Sequence, residues 1–507
     1  MSQPQKHLFM ITLTVMSGAI MSALDTSIVN VALPYMKGNL GASVEEIAWV
    51  STSYILANVI IMPIIGLISS RFGRRNFYMF SVAMFTITSV MCGLSWDLRS
   101  MIFFRILQGI AGGALVPISQ AIMRENYPPH QQGLAMGIFG LGVVMGPAIG
   151  PTLGGWLTDH YSWPWIFYIN VPVGLLSMFL TYTYVFDPPY MERRKEKWDI
   201  PGLAFMIVGL GALQLMLEEG ERKDWFESQY ITILAAMAVI GLILFTIREL
   251  NTDKPAVNLR LLKDRTFTTG TLLGGVLGVS LFASLFLLPL LLQQLLGYPA
   301  FDSGLAMMPR SLAMAVCMPL VGKLYTRLGP RPLIASGLAI NGFSFWQLSS
   351  LSLDMGYWDI FVPQVIQGIG FGMIFVALST VALSTMEKSN MTDATGLYNV
   401  VRQVFGSVGI ALSATLLTRY ESVYHSFLTE KITAVSDQTM NIYNGFVSKF
   451  LSSGYDPQMS QDMSMRMING IITKQSAMMA FNHVFLLVAV MFIISVPSVL
   501  LLKDNRH

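Results

Sequence analysis

The sequence carries little charge. Only 12% of its 507 residues are Asp, Glu, Lys or Arg and 53% are hydrophobic, whereas about a quarter of the residues in a soluble protein are charged. The formal net charge of +3 is too small to indicate a nucleic-acid partner. Cysteine is nearly absent, because only Cys92 and Cys317 occur and both lie in apolar runs. These absences exclude an ordinary soluble protein and a disulfide framework.

Motifs that carry chemistry are missing as well. The chain contains no G-x4-G-K-[ST] phosphate loop, which argues against an ATP-driven pump. No pairing of a nucleophile with a base is visible, and no cluster has the spacing of metal ligands. We therefore expect no catalytic residue, no metal and no other cofactor.

Long apolar runs are abundant, by contrast. A helix needs about 20 apolar residues to cross a bilayer, and runs of that length follow one another along the chain. The first run is too long for the core of a signal peptide and carries Asp25, so we interpret it as a retained helix. The pattern predicts an all-α integral membrane protein with 14 transmembrane helices. The predicted spans lie at about 9–31, 46–68, 76–95, 99–121, 133–157, 164–186, 200–218, 230–248, 267–292, 303–325, 333–352, 359–384, 395–417 and 477–502.

Lys and Arg are concentrated at one set of span ends. The short loops at the other ends carry only Lys37, Arg99, Arg222 and Lys223. Because cytoplasmic loops hold an excess of Lys and Arg, both termini are predicted to be cytoplasmic. An even number of spans agrees with this.

An internal repeat predicts the domain organisation. Gln108-Gly109-Ile110 recurs 259 residues later as Gln367-Gly368-Ile369, and a glycine- and arginine-containing loop recurs 256 residues later. The repeated loop positions are Gly66, Arg71, Gly73 and Arg75, matched by Gly322, Arg327, Gly329 and Arg331. Two six-helix halves related in this way place a site between them near the midplane.

The predicted parts of the chain follow from the repeat. They are the N-terminal half 1–186, a cytoplasmic linker 187–199, an inserted helix pair 200–250, a cytoplasmic connector 251–266, the C-terminal half 267–502 with a long extracytoplasmic loop 419–476, and a tail 503–507. The basic linker is interpreted as a solvated connector, with contact to lipid headgroups as the alternative. The loop 419–476 has apolar residues at roughly helical spacing.

Glycine is concentrated in the stretch 133–155. Gly142, Gly146 and Gly150 recur every four residues, beside Pro147 and Pro151. Such a stripe lets another helix backbone approach closely in a membrane. Two interpretations stay open here, a tight packing seam and a pivot for a transporter that opens alternately to each side.

Few ionisable residues lie within the spans, and each is a functional hypothesis because a charge there is costly. Asp25 is either a coupling acid, whose protonation depends on its surroundings, or a carboxylate at the outer headgroups. For Glu218 a solvated helix end is favoured over a proton site. Arg310 and Arg402 either meet an anionic substrate or bond to Gln293, Gln403 or the backbone. The polar candidates for an otherwise apolar substrate cavity are Asn30, Gln108, Gln120, Asn170, Gln293, Arg310, Asn399 and Arg402.

The motifs together resemble one known family over the whole chain: the major facilitator superfamily, and within it the fourteen-helix drug:proton antiporters of the EmrB/QacA type. The repeated loop resembles the superfamily's loop signature, with Ser70 where Asp is usual. Arg105-x2-Gln108-Gly109 resembles the fourth-span motif, and the glycine stretch resembles the antiporter motif of the fifth span, with Pro151 replacing a common glycine.

The resemblance implies the major facilitator fold and proton-coupled efflux of hydrophobic, drug-like compounds across a bacterial inner membrane. It gives Arg105 a role in proton coupling, with Asp25 across the bundle, although structural bonding to backbone carbonyls is nearly as strong an alternative. It makes the repeated loops conformational switches and the fifth-span motif a pivot. Buried arginines outnumber buried acids, which favours neutral or weakly acidic substrates. A proton-coupled importer of a small metabolite is the alternative function.

The resemblance also implies partners other than substrate, protons and membrane lipids. The loop 419–476 would help to dock a periplasmic adaptor protein of the EmrA type, which would pass substrate to an outer-membrane channel of the TolC type. A lid over the outer mouth of the cavity, or helices lying on the lipid surface, is the alternative for this loop.

Overall fold

The computed structural model describes residues 3–187, 199–253, 255–432 and 437–503, and within these residues the chain is helical with no strand. Helices form because a backbone amide without a partner is costly in lipid, so every span must satisfy its own hydrogen bonds. The basic linker lies almost wholly outside the described residues. In the described ranges, thirteen helical segments are long and apolar enough to cross a membrane.

The helices follow the predicted spans closely. The N-terminal half contains α1 (Gln3–Leu40), α2 (Glu45–Phe72), α3 (Arg74–Gly93), α4 (Leu98–Asn126), α5 (Gln132–His160) and α6 (Trp165–Tyr184). The inserted pair is α7 (Ile200–Glu219) and α8 (Gln229–Asn251). The C-terminal half contains α9 (Arg265–Leu295), α10 (Ala300–Leu328), α11 (Pro330–Leu348), α12 (Tyr357–Ala382), α13 (Met391–Lys431), α14 (Asp437–Ser452) and α15 (Pro457–Ser495).

One predicted span is less apolar than the rest. Helix α11 is 19 residues long and contains Asn341, Ser344 and Gln347, so it falls outside the thirteen segments. It packs between α12 and α15. Asn341 and Ser344 are buried there, and Ser344 Oγ donates a hydrogen bond of 2.8 Å to the carbonyl of Pro363 on α12. The eleventh predicted span is therefore a helix that buries polar side chains, and among the described residues Asn341 Oδ1 and Gln347 Oε1 have no hydrogen-bond partner.

The repeated loops contain the same kind of turn. Gly73 has φ +85° between α2 and α3, and Gly329 has φ +76° between α10 and α11. Side chains other than glycine rarely adopt this left-handed conformation. The repeat therefore conserves a backbone turn at the end of the molecule that carries Arg71, Arg75 and Arg327. We call this end the basic face.

The two halves touch near the basic face through glycines. A Cβ atom added to Gly133 of α5 would lie 2.6 Å from the carbonyl oxygen of Gly322 on α10. One added to Gly396 of α13 would lie 2.5 Å from the carbonyl oxygen of Met62 on α2. Both contacts are closer than any side chain would permit, so α5 meets α10, and α2 meets α13, backbone to backbone.

The glycine stripe of α5 faces the other way, into its own half. Helix α5 continues through Pro147 and Pro151 to His160. A Cβ on Gly146 would meet the backbone of Ala23 and Leu24 on α1, whereas one on Gly142 would meet the flexible end of Met16. The stripe is therefore a packing seam between α5 and α1. Its use as a pivot stays a prediction.

The stretch expected as a long outer loop is mostly helix. Helix α13 is 41 residues long, which at 1.5 Å per residue is about 60 Å, roughly twice the thickness of the hydrocarbon core. It therefore continues well beyond the membrane on the face opposite the basic face. Helix α15 begins at Pro457 and returns beside it, and α14 packs against α15.

Candidate functional site

Asp25 and Arg105 form an ion pair inside the N-terminal half. Both side chains are buried, and Arg105 Nη1 lies 2.5 Å from Asp25 Oδ2. The guanidinium also donates from Nε to the carbonyl oxygen of Val50 on α2, at 2.9 Å. Arg105 thus contacts both groups that were considered for it from the sequence, the acid Asp25 and a backbone carbonyl.

Gln108 completes the coordination of this pair. Its Nε2 donates to Asp25 Oδ1 at 3.0 Å, and its Oε1 accepts from Arg105 Nη1 at 2.8 Å. Ser89 Oγ on α3 lies 3.3 Å from the same Nε2 and 3.0 Å from Asn170 Nδ2 on α6. Both oxygens of the Asp25 carboxylate are therefore bonded, and the network joins α1, α3, α4 and α6.

An aromatic ring covers the arginine on its other side. The Arg105 guanidinium carbon lies 4.2 Å from the ring centroid of Tyr54 and 5.8 Å from that of Phe167. A desolvated cation over an aromatic face is stabilised by about 2 kcal/mol. The Tyr54 hydroxyl lies 3.3 Å from Ser22 Oγ on α1. Sequence reasoning missed Tyr54, because an aromatic residue in a span looks like ordinary packing.

This arrangement can couple a proton to the position of helices. Protonation of Asp25 would remove the charge that compensates Arg105, and an uncompensated buried charge is strongly destabilising. Asp25 lies on α1 whereas Arg105 lies on α4 and bonds to α2. A change in protonation therefore changes the forces that hold these three helices together.

A polar contact separate from the Asp25 network links the two halves directly. Asn399 Nδ2 on α13 donates to Gln120 Oε1 on α4 at 2.6 Å, and both side chains are buried. Arg402 lies one turn further along α13, with its guanidinium 5.3 Å from the ring centroid of Phe375. These residues lie between the halves, where the repeat predicts a substrate cavity.

The remaining cavity candidates lie apart from both networks. Asn30 is exposed and accepts a hydrogen bond of 2.8 Å from Ser51. Gln293, also exposed, donates to Ser303 Oγ at 3.2 Å. The expectation that Gln293 could bond to Arg310 is wrong, because the described partners of Arg310 are Ser284 Oγ at 2.8 Å and Gln367 Oε1 at 3.4 Å.

The expectation of a solvated helix end at Glu218 is wrong as well. Glu218 Oε1 accepts from Thr52 Oγ1 of α2 at 3.3 Å, and Glu218 Oε2 accepts from Gln214 Nε2 at 3.2 Å. The same Gln214 nitrogen lies 2.9 Å from Ser407 Oγ of α13. The inserted helix α7 packs against both α2 and α13, so it bridges the two halves near its outer end. Glu218 faces this bridge.

Known proteins of similar sequence match this chain over nearly its full length. A family model described as Major Facilitator Superfamily matches residues 15–410. The chain is 35% identical over 497 residues to the fatty acid resistance protein FarB of Neisseria gonorrhoeae, covering 98% of this chain and 96% of that protein. It is 34% identical over 490 residues to the multidrug export protein EmrB of Escherichia coli (strain K12), covering 96% and 94%.

The chain belongs to the major facilitator superfamily. Its similarity to the EmrB proteins places it in the EmrB-type branch, so the fold class and family predicted from the sequence are confirmed. It is a multi-pass membrane transporter rather than an enzyme.

Solved structures of lower identity share the fold. The human organic anion transporter MFSD10 superposes with a TM-score of 0.59 at 12% identity, over 97% of this chain and all (100%) of that one. The proton:xylose symporter XylE superposes with a TM-score of 0.55 at 14% identity, over 96% and 95%. In the described residues of this EmrB-type chain, no group of three or more His, Cys, Asp or Glu side chains could hold a metal ion.

The loop signatures of the superfamily make different contacts in the two halves. Arg75 donates from Nη2 to the carbonyl oxygen of Tyr182 on α6 at 2.6 Å, and its backbone N–H donates to Asp187 at 2.8 Å. Arg331 donates twice to the carbonyl oxygen of Leu502, at 2.9 and 2.7 Å. Each arginine therefore ties its turn to the last span of its own half.

Three other positions of the signatures lie at the basic face. Arg71 and Arg327 are exposed there. Gly66 packs against the side chain of Asp393 on α13, so a Cβ at this position would meet that carboxylate. The role of these loops as conformational switches stays a prediction.

We predict that Asp25→Asn abolishes uphill export and lowers thermal stability. Removing one member of a buried pair leaves the other charge unpaired, at a cost of about 3–5 kcal/mol. The double variant Asp25→Asn/Arg105→Gln has no charge left to compensate and should unfold at a higher temperature than the single variant. Thermal unfolding in detergent, beside transport by cells with equal expression, measures both effects. Equal stability of the wild type and Asp25→Asn would contradict the pairing energy, and surviving uphill export would exclude Asp25 as the coupling acid.

Proposed function

We propose that this transporter is a proton-coupled exporter of hydrophobic compounds that works by alternating access in a bacterial inner membrane. The observation that supports this most strongly is the buried network of Asp25, Arg105 and Gln108. It contains a carboxylate that can take up a proton, and it joins helices of the N-terminal half whose contacts would change when that charge is lost.

The orientation of the chain follows from its basic face. Because cytoplasmic loops hold the excess of Lys and Arg, we assign this face and both termini to the cytoplasm. The contacts of Gly133 with Gly322 and of Gly396 with Met62 then close the cytoplasmic end. A compound that enters from the cytoplasm or the inner leaflet requires these two seams to separate.

Hydrophobic compounds that are neutral or weakly acidic are the proposed substrates. Relatives with over 30% identity are described as a fatty acid resistance protein and a multidrug export protein. Both descriptions fit a site between the halves in which apolar surface is combined with a few amides, such as Gln120 and Asn399. The buried cation Arg310 and the half-buried cation Arg402 favour an acidic group over a cationic one.

A flux assay in proteoliposomes tests proton coupling. In vesicles that hold a pH-sensitive dye, proton movement opposite to the movement of a hydrophobic weak acid is the expected result. A matched Asp25→Asn preparation should show no proton movement. Movement of substrate and protons in the same direction would support import instead, and transport without any dependence on the pH gradient would contradict the proposal.

The helices beyond the membrane are proposed to dock a periplasmic adaptor protein, which would pass substrate to an outer-membrane channel. The outer parts of α13, α14 and α15 expose many apolar side chains in a region that extends past the lipid, and patches of this kind mark interaction surfaces. These exposed residues are Val423, Phe427, Ile442, Leu451, Tyr455, Met459, Met465, Met467 and Ile471.

Replacing residues 425–470 with a short Gly/Ser linker tests this docking. The cut ends lie close together, since His425 Nε2 is 3.3 Å from Asn469 Oδ1. The Tyr424 hydroxyl still bonds to His483 Nδ1 at 2.8 Å, which keeps α13 against α15. We expect transport in liposomes to survive, whereas drug resistance in cells and co-purification of the adaptor are lost. Loss of transport in liposomes would assign these helices to the gate, and adaptor binding by the shortened protein would contradict the docking surface.

A further inference from the structure

The C-terminal half buries an arginine without an acid. Arg310 of α10 is 3% exposed, and none of the ion pairs among the described residues includes it. Its Nη1 donates both of its hydrogen bonds to described side chains, and the acceptors, Ser284 Oγ and Gln367 Oε1, are neutral. A buried guanidinium carries a full charge, so neutral acceptors leave it uncompensated.

The repeat shows which residue stands in place of the acid. The separation of 259 residues that relates Gln108 to Gln367 also relates Asp25 to Ser284. Ser284 Oγ lies 3.0 Å from Gln367 Oε1, just as Asp25 contacts Gln108 in the other half. The two halves therefore place a cation, a glutamine and a third group together, and the third group is a carboxylate in one half and a hydroxyl in the other.

Two buried amide side chains at this cluster have atoms that make no hydrogen bond among the described residues. Gln364 and Gln367 are fully buried on one face of α12, one turn apart. Within the described part of the chain, Gln364 Nε2, Gln364 Oε1 and Gln367 Nε2 have no hydrogen-bond partner. Buried polar atoms without partners are rare, and each costs about 1–3 kcal/mol. The cluster thus combines an uncompensated cation with unused N–H donors.

We propose that Arg310, Ser284, Gln364 and Gln367 form a binding site for a monovalent anion, either the carboxylate of an exported weak acid or a chloride ion. A guanidinium with neighbouring amide and hydroxyl donors recognises an anion through charge-assisted hydrogen bonds. The bound anion supplies the charge that Asp25 supplies in the other half. The carboxylate as occupant rests on the proposed function, whereas the anion site itself does not.

Anion binding to the purified protein in detergent tests the site without a proton gradient or transport. Decanoate, the neutral analogue decanol and sodium chloride are each titrated in chloride-free sulfate buffer, and the temperature of unfolding is measured. We expect decanoate or chloride, but never decanol alone, to raise that temperature. Arg310→Gln should weaken the anion effect at least about tenfold.

The variant Ser284→Asp keeps the test decisive if Arg310→Gln does not fold. It places a carboxylate where the other half has Asp25, so it should unfold at a higher temperature than the wild type in the same sulfate buffer without chloride or decanoate, and lose its response to both anions. Ser280→Asp is the matched control, because the hydrogen bonds of Ser280 Oγ among the described residues go to carbonyls of its own helix, at 2.7 and 3.3 Å. This control should unfold at a lower temperature than the wild type.

The arms of the titration separate the two sources of the anion. Stabilisation by chloride that competes with decanoate assigns the site to small anions in general, and stabilisation by decanoate alone assigns it to the carboxylate of a substrate. An unchanged anion response in Arg310→Gln, or a Ser284→Asp protein that responds to anions like the wild type, would overturn the proposal. Because no flux is measured, failure of proton coupling would leave this result standing.

Discussion

Charge compensation inside the helical bundle is the constraint on which the rest of this structure depends. A charged side chain within a membrane span is costly and needs a partner. In the N-terminal half the partner of Arg105 is built in, because Asp25 lies 2.5 Å away and both of its oxygens are bonded. In the C-terminal half Arg310 has only neutral partners among the described residues. We propose that the N-terminal half responds to protons and that the C-terminal half binds an anion.

Close backbone contact also joins the two halves. Gly133 and Gly322 meet across the interface near the basic face, as do Gly396 and Met62, so the backbones of the two halves approach each other closely there. The stripe through Gly146 instead fixes α5 to α1 within one half. Helix α7 adds a polar bridge, because Gln214 contacts both Glu218 and Ser407. Movement of the halves must therefore rearrange hydrogen bonds at this bridge.

The sequence predicted those features that depend on position along the chain. Apolar length gave the spans, and the repeated glycines gave the two halves, since a left-handed turn at Gly73 recurs at Gly329. Asp25 and Arg105 stood out because charge is rare in a span.

Contacts that depend on packing could not be predicted from the sequence. Nothing in the residue types shows that Tyr54 covers Arg105, that Val50 supplies a carbonyl, or that Glu218 points inward to Thr52. The outer connection is predicted as a loop because it lies between two apolar spans, and the helical spacing of its apolar residues agrees with the helices α13, α14 and α15 that the structure has there.

Proton release on substrate binding measures the central claim most directly. A hydrophobic weak acid is added in its deprotonated form to purified transporter in weakly buffered detergent solution, and the change in pH is recorded. If binding and the protonation of Asp25 are coupled, the wild type releases protons and Asp25→Asn, which still binds the compound, releases none. Equal proton release by the two proteins at equal occupancy would contradict the account, because the coupled proton would then lie elsewhere in the chain.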